Sequence, residues 1–113
     1  MSLIIRSGTG ISWAACFHAQ QAAEKAIKAL LVLHGIDFPK SHALTPLAAL
    51  LPTDVQQLLD FDSLAELTPW AVAGRYPEDT ADPDPTTTEH LATIAATLTS
   101  KAESAIADSR LTD

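Results

Sequence analysis

Four histidines, His18, His34, His42 and His90, are the side chains of this sequence best suited to proton transfer or metal ligation near neutral pH. Their spacing supports neither use on its own. No two stand as HxxxH or HExxH, so a metal site would need assembly from distant segments, and none is expected. No serine sits in a GxSxG turn, which removes the local sign of a hydrolase nucleophile. Gly8 and Gly10 lack the GK[ST] ending of a phosphate loop. Cys16 is the single cysteine, so an intrachain disulfide and a CxxC site are both excluded. In alanine-rich surroundings it is expected to pack as a small apolar group.

Two further groupings could do chemistry. Between His18 and Lys28, the segment "CFHAQQAAEKAIKALLVLHG" crowds Gln20, Gln21, Glu24 and Lys25. On a helix, Gln20, Glu24 and Lys28 form one row at intervals of four, with Glu24 before Lys28 in the favourable order for an ion pair. His18, Gln21, Lys25 and Lys28 form a second row. Solvated helix surface is the simpler reading of both. Phe17, Leu31 and Val32 lie among these polar residues, however, which argues that the helix is covered on more than one side. The second grouping is Arg75-Tyr76-Pro77. Arginine offers a planar fork of donors suited to phosphate or carboxylate, and Pro77 holds Tyr76 extended beside it. The plainer alternative packs Tyr76 on the body of the protein and pairs Arg75 with a nearby acid.

The elements that must carry these residues are helices. Apolar residues make up 47% of 113, alanine supplies many of them, and aromatics only 5%. That balance suits helices packed closely together, and strand-type alternation is almost absent. A first clear helix is expected over 13–34, capped by Ser12 with Ile11 and Cys16 as a hydrophobic staple, and closed by Gly35. Its apolar arc runs through Ala15, Cys16, Ala19, Ala22, Ala23, Ala26, Ile27, Ala29, Leu30 and Leu33. Either Ser41 caps the next helix, or Thr45 caps it with Pro46 as first helical residue. Thr53 is expected to cap "DVQQLLDF", and Pro69 to interrupt "SLAELTPWAVAG". Residues 77–86 read as an acidic, proline-rich loop. Thr86 and Glu89 form a capping-box pair for a last helix reaching about Asp108. The fold class is therefore all-α, a single helical-bundle domain over 1–113.

The net charge is −7 and unevenly placed. Residues 1–53 carry a net +2 and residues 54–113 a net −9. A broad basic footprint for nucleic-acid backbone is absent, so any phosphate contact has to be local, near helix 13–34. No apolar run is long enough for a signal peptide or a membrane span, and a cytoplasmic location without membrane contact is the expectation.

"CFHAQQAAEKAIKALL", then a glycine, "PKSHAL" and "RYPED", in that order over Cys16–Asp79, resemble the prokaryotic HEPN domain. The resemblance implies an antiparallel up-and-down helical bundle that forms a homodimer. It also implies a frequent partner, a minimal nucleotidyltransferase of the MNT type, in toxin–antitoxin-like pairs. Many members of that family are ribonucleases, and others have been viewed as nucleotide-binding modules. Ribonuclease members carry Arg followed four to six residues later by His. That interval after Arg6, Arg75 and Arg110 holds no histidine. The resulting expectation is a non-catalytic dimeric module that binds a nucleotide (ATP or GTP class) or its nucleotidyltransferase partner, with no cofactor. A ribonuclease toxin acting on RNA through a non-standard site is the alternative. Nucleotide or phosphate candidates are Lys25, Lys28, His42, Arg75 and Tyr76. Phe17, Ala22, Ala26 and Leu30 are the core or dimer positions of the identifying helix. Family members usually carry a full helix before it, whereas residues 1–11 offer only "MSLIIRSGTGI", so a shortened or poorly structured first helix is expected.

Overall fold

A computed structural model describes residues 11–71 and 84–112. Helix α1 spans Ile11–Leu33. Three short helices follow, α2 (Leu44–Ala48), α3 (Thr53–Gln56) and α4 (Phe61–Leu67), with a 3-10 turn over Thr68–Ala71. The chain ends in α5, Pro85–Thr112. No strand occurs among the described residues, and the all-α class is the observed one.

The two long helices run in the same direction. Cys16 Sγ lies 3.9 Å from Thr88 Oγ1 near both N-termini, and further along Ala22, Ala26 and Ala29 share a groove with Thr99, Ala102 and Ile106. The short helices return the chain between them and pack on α1 through α2, α4 and the 3-10 turn. Into the space so enclosed go Ile27 and Leu31 from α1, Leu44 and Leu47 from α2, Leu64 and Leu67 from α4, and Leu91 and Leu98 from α5. Fully burying each such leucine or isoleucine contributes about 1.5–3 kcal/mol before the cost of ordering it.

Local chemistry explains where the elements stop. Gly35 has φ +68, its N–H donates to Val32 O at 3.0 Å, and Ile36 N–H donates to Leu31 O at 2.9 Å. These two bonds are the Schellman closure, and the left-handed residue it needs is the expected glycine. Asp60 starts α4: its carboxylate accepts from Asp62 N–H, Ser63 N–H and Ser63 Oγ–H. Ser63 and these backbone donors hold the Asp60 carboxyl below its usual value.

Several expected boundaries need correction. The first long helix begins at Ile11 rather than at residue 13, and takes in Ser12. Neither Ser41 nor Thr45 caps α2: Ala43 occupies that position without a side-chain bond. Ser41 Oγ instead accepts from Ala43 N–H at 3.1 Å, and Pro46 sits third in the helix, where its missing N–H would find no intrahelical partner anyway. Pro52, not Thr53, precedes α3. The capping pair Thr86–Glu89 gives way to Asp84, whose Oδ1 accepts from Thr87 N–H at 2.7 Å, with Pro85 as the pre-organised first helical residue. Residues 85 and 86 are thus helix rather than loop, and α5 runs on past Asp108 to Thr112. The part of the acidic loop over 77–83 lies outside the described residues.

Candidate functional site

The row Gln20–Glu24–Lys28 is not a solvated face. Gln20 is 0% and Glu24 7% exposed, because the segment from Phe38 to Ala43 folds back against this side of α1. Glu24 is the centre. Lys28 Nζ donates to its Oε2 at 2.9 Å, His42 Nδ1 lies 3.0 and 3.1 Å from its two oxygens, and Gln20 Nε2 donates to Oε1 at 3.3 Å. Gln20 also donates to His42 O at 3.0 Å, and its own oxygen accepts from Gln21 Nε2 at 2.9 Å.

The electrostatics follow from these contacts. Burial pushes the Glu24 carboxyl up, but the bonds from Lys28, His42 and Gln20, together with the Lys28 charge, outweigh it and hold the group below the usual carboxylate value. An ionised carboxylate only accepts, so His42 carries its proton on Nδ1. Its Nε2 edge then faces outward on a side chain that is 65% exposed. Lys28 also lies 5.7 Å from the centre of the Phe38 ring. The arrangement pins the loop after α1 to the middle of that helix through one buried charge. It leaves a carboxylate-oriented imidazole at the surface.

The other candidate residues divide. Lys28 and His42 meet on Glu24. Lys25 is exposed and lies beside the groove between α1 and α5, apart from this cluster. Arg75 and Tyr76 lie outside the described residues. Of the identifying-helix positions, Ala26 and Leu30 are buried, Ala22 is partly buried against the core, and Phe17 is half-buried with its ring centre 5.7 Å from that of His18. His90 pairs with Glu66 at 3.2 Å on the surface. No group of three potential metal ligands occurs among the described residues, and no described helix is long and apolar enough to cross a membrane.

Glu24 and Gln20 were missed as site residues. The signal was present in Leu31: it stands seven residues beyond Glu24 on the same face and is fully buried, so the row it belongs to had to be covered.

Two open grooves complete the picture, of about 410 and 300 Å3, end to end between α1 and α5. Their walls are mostly alanine, with Ala22, Thr99 and Glu103 common to both. The HEPN domain family model matches residues 7–109. The chain belongs to the HEPN domain family. The match spans α1, the Glu24 cluster and α5 as far as Ser109, so both the cluster and the groove of this HEPN protein lie within the matched residues. No curated protein and no solved structure gives a significant match to the chain.

Proposed function

We propose that this HEPN protein is a non-catalytic, dimeric binding module of the cytoplasm, working beside a minimal nucleotidyltransferase in a toxin–antitoxin-like pair. One observation carries the reading: the densest polar cluster among the described residues is spent on holding the fold. Glu24 is buried and all its strong donors are internal, so it is not free to act on a substrate. If a nucleotide is the ligand, its phosphates meet Lys28 and His42 at the edge of this cluster, with Arg75 and Tyr76 as further contacts and Lys25 as a more distant one. Calorimetric titration of ATP and of GTP tests this, with His42→Ala and Arg75→Ala as controls. Heat with one nucleotide, lost in these variants, supports the nucleotide branch. No heat with either ends it, and the partner branch is then tested by titrating a purified minimal nucleotidyltransferase of the MNT type.

The rival reading, a ribonuclease, has a specific observation in its favour. A buried carboxylate orienting a histidine whose second nitrogen faces outward is the arrangement used for general acid–base catalysis. RNA cleavage by the purified chain, abolished in His42→Ala and retained in Lys25→Ala, would establish it over the binding module.

A further inference from the structure

The groove between α1 and α5 is walled by Ala19 and Ala22 on one side and by Ala95 and Ala96 on the other. It runs from the level of Ala15 and Ala92 to that of Ala29 and Ile106, about 21 Å along each helix at 1.5 Å per residue. Small side chains on both walls let another pair of helices come close. Its two lips carry opposite charge at one level: Lys25 on α1 and Glu103 on α5 line the same stretch. Both are exposed, and neither has an ion-pair partner among the described residues.

Because α1 and α5 are parallel, a two-fold axis along the groove would set α1 of one protomer against α5 of its partner at matching height. Lys25 of each chain would then face the partner chain's acidic lip, once on each side of the axis. A two-fold axis across the groove at that level brings like charges together instead, which costs free energy. We propose that this groove is the self-association surface of the protein, with a second copy as its occupant, all four long helices running in one direction and two reciprocal Lys25–Glu103 pairs fixing the register. The proposal rests on the dimeric reading above and names the surface and symmetry that the reading leaves open. A face about 21 Å long and two helices wide, at about 10 Å per helix, covers roughly 400 Å2 of each chain, the size of a weak and transient contact, so a dimer in the tens-of-micromolar range is expected.

The test uses sedimentation velocity on the wild type, on Lys25→Glu, on Glu103→Lys, and on an equimolar mixture of the two variants. Each variant alone places like charges opposite each other twice, and its dimer should weaken about tenfold or more, given two exposed pairs reversed in sign. In the mixture, the heterodimer of the two variants has both pairs restored, so dimer should return to the wild-type level. An intrachain pair cannot produce that recovery. A dimer unaffected by either variant overturns the proposed surface and leaves the dimeric reading standing. Weakening without recovery in the mixture overturns the proposed register. A wild type that stays monomeric up to about 200 micromolar overturns both the surface and the dimeric reading, and the groove is then left to a helix of another protein. Since both substituted residues are exposed, circular dichroism should show an unchanged fold. Should either variant misfold, Ala96→Glu, in the groove wall on an exposed position, replaces it: a dimer that persists in that variant counts against the surface.

Discussion

Replacing Glu24 with alanine removes the acceptor shared by Lys28, His42 and Gln20, and the structure sets the size of the effect. Lys28 is 25% and His42 65% exposed at the side chain, so both donors regain water when the carboxylate goes. Each lost pairing then costs only about 0.5–1 kcal/mol, well short of the penalty for stranding a fully buried charge. Gln20 is fully buried: one N–H of its amide keeps His42 O as acceptor, while the other loses Glu24 Oε1, which adds about 1 kcal/mol. The vacated methylenes add about another 0.5–1 kcal/mol. The sum is about 3 kcal/mol, which lowers the melting temperature of a domain this size by about 12 °C. Urea unfolding followed by circular dichroism, at one fixed protein concentration, measures it.

The pH dependence gives an independent check with a definite sign. The folded-state pKa of Glu24 is depressed, so the folded chain binds a proton at this group less readily than the unfolded chain does. Its contribution is fully present above the unfolded carboxyl value of about 4.3 and is lost as pH falls through the lower folded value. The gap between wild type and Glu24→Gln should therefore close progressively below about pH 4.5. A loss under about 0.5 kcal/mol for Glu24→Ala, or a gap that does not narrow in acid, would refute the account of Glu24 as the charge that pins the loop.

Three shorter predictions follow from the same geometry. Gly35→Ala should cost about 1 kcal/mol, because its φ of +68 is strained for any side chain while nothing lies within 4 Å of the added carbon; a neutral result in urea unfolding would contradict the Schellman closure. The Cys16 thiol is buried and its pKa is pushed up by burial, only partly offset by Thr88, so a disulfide reagent should modify it slowly in native buffer and quickly in denaturant. Asp84→Ala should lower the melting temperature by a few degrees and raise amide exchange at Thr87, since it removes the carboxylate that accepts that N–H; unchanged exchange there would show that the cap is idle.

What was legible in the sequence was what short-range physics decides. The 3.6-residue spacing of Cys16, Ala19, Ala23, Ala26 and Leu30 gave the buried stripe of α1, and Gly35 gave its end. Starting points were read less well. Serine and threonine were preferred as caps, whereas aspartates at 60 and 84 do that work; Asp60 had been read inside the helix "DVQQLLDF" and Asp84 inside the acidic loop. The candidate site was half legible: Lys28 and His42 were singled out, but Glu24 between them was placed in water. Local spacing cannot tell which polar row a distant loop will cover. That burial comes from His42 returning to α1 across eighteen positions, a contact that helical periodicity does not encode.

The position of that contact on α1 has a consequence for how the domain is used. Ala15, on the groove side, and Glu24 are nine residues apart, which at 3.6 residues per turn places them about 180° from each other. One side of the helix is closed by the loop, and the opposite side is left as an alanine wall beside α5. Sites on opposite faces with no shared partner should act additively. Glu24→Gln should then lower stability to urea yet leave the self-association constant unchanged at temperatures where the variant is folded. Ala96→Glu should do the reverse, weakening association while leaving the stability of the dilute chain within about 0.5 kcal/mol of wild type. Sedimentation and urea titration on the two variants and on the double variant separate the effects. If Glu24→Gln also shifts association, the loop and the groove are coupled through α1, and the division of that helix into a structural side and a binding side fails.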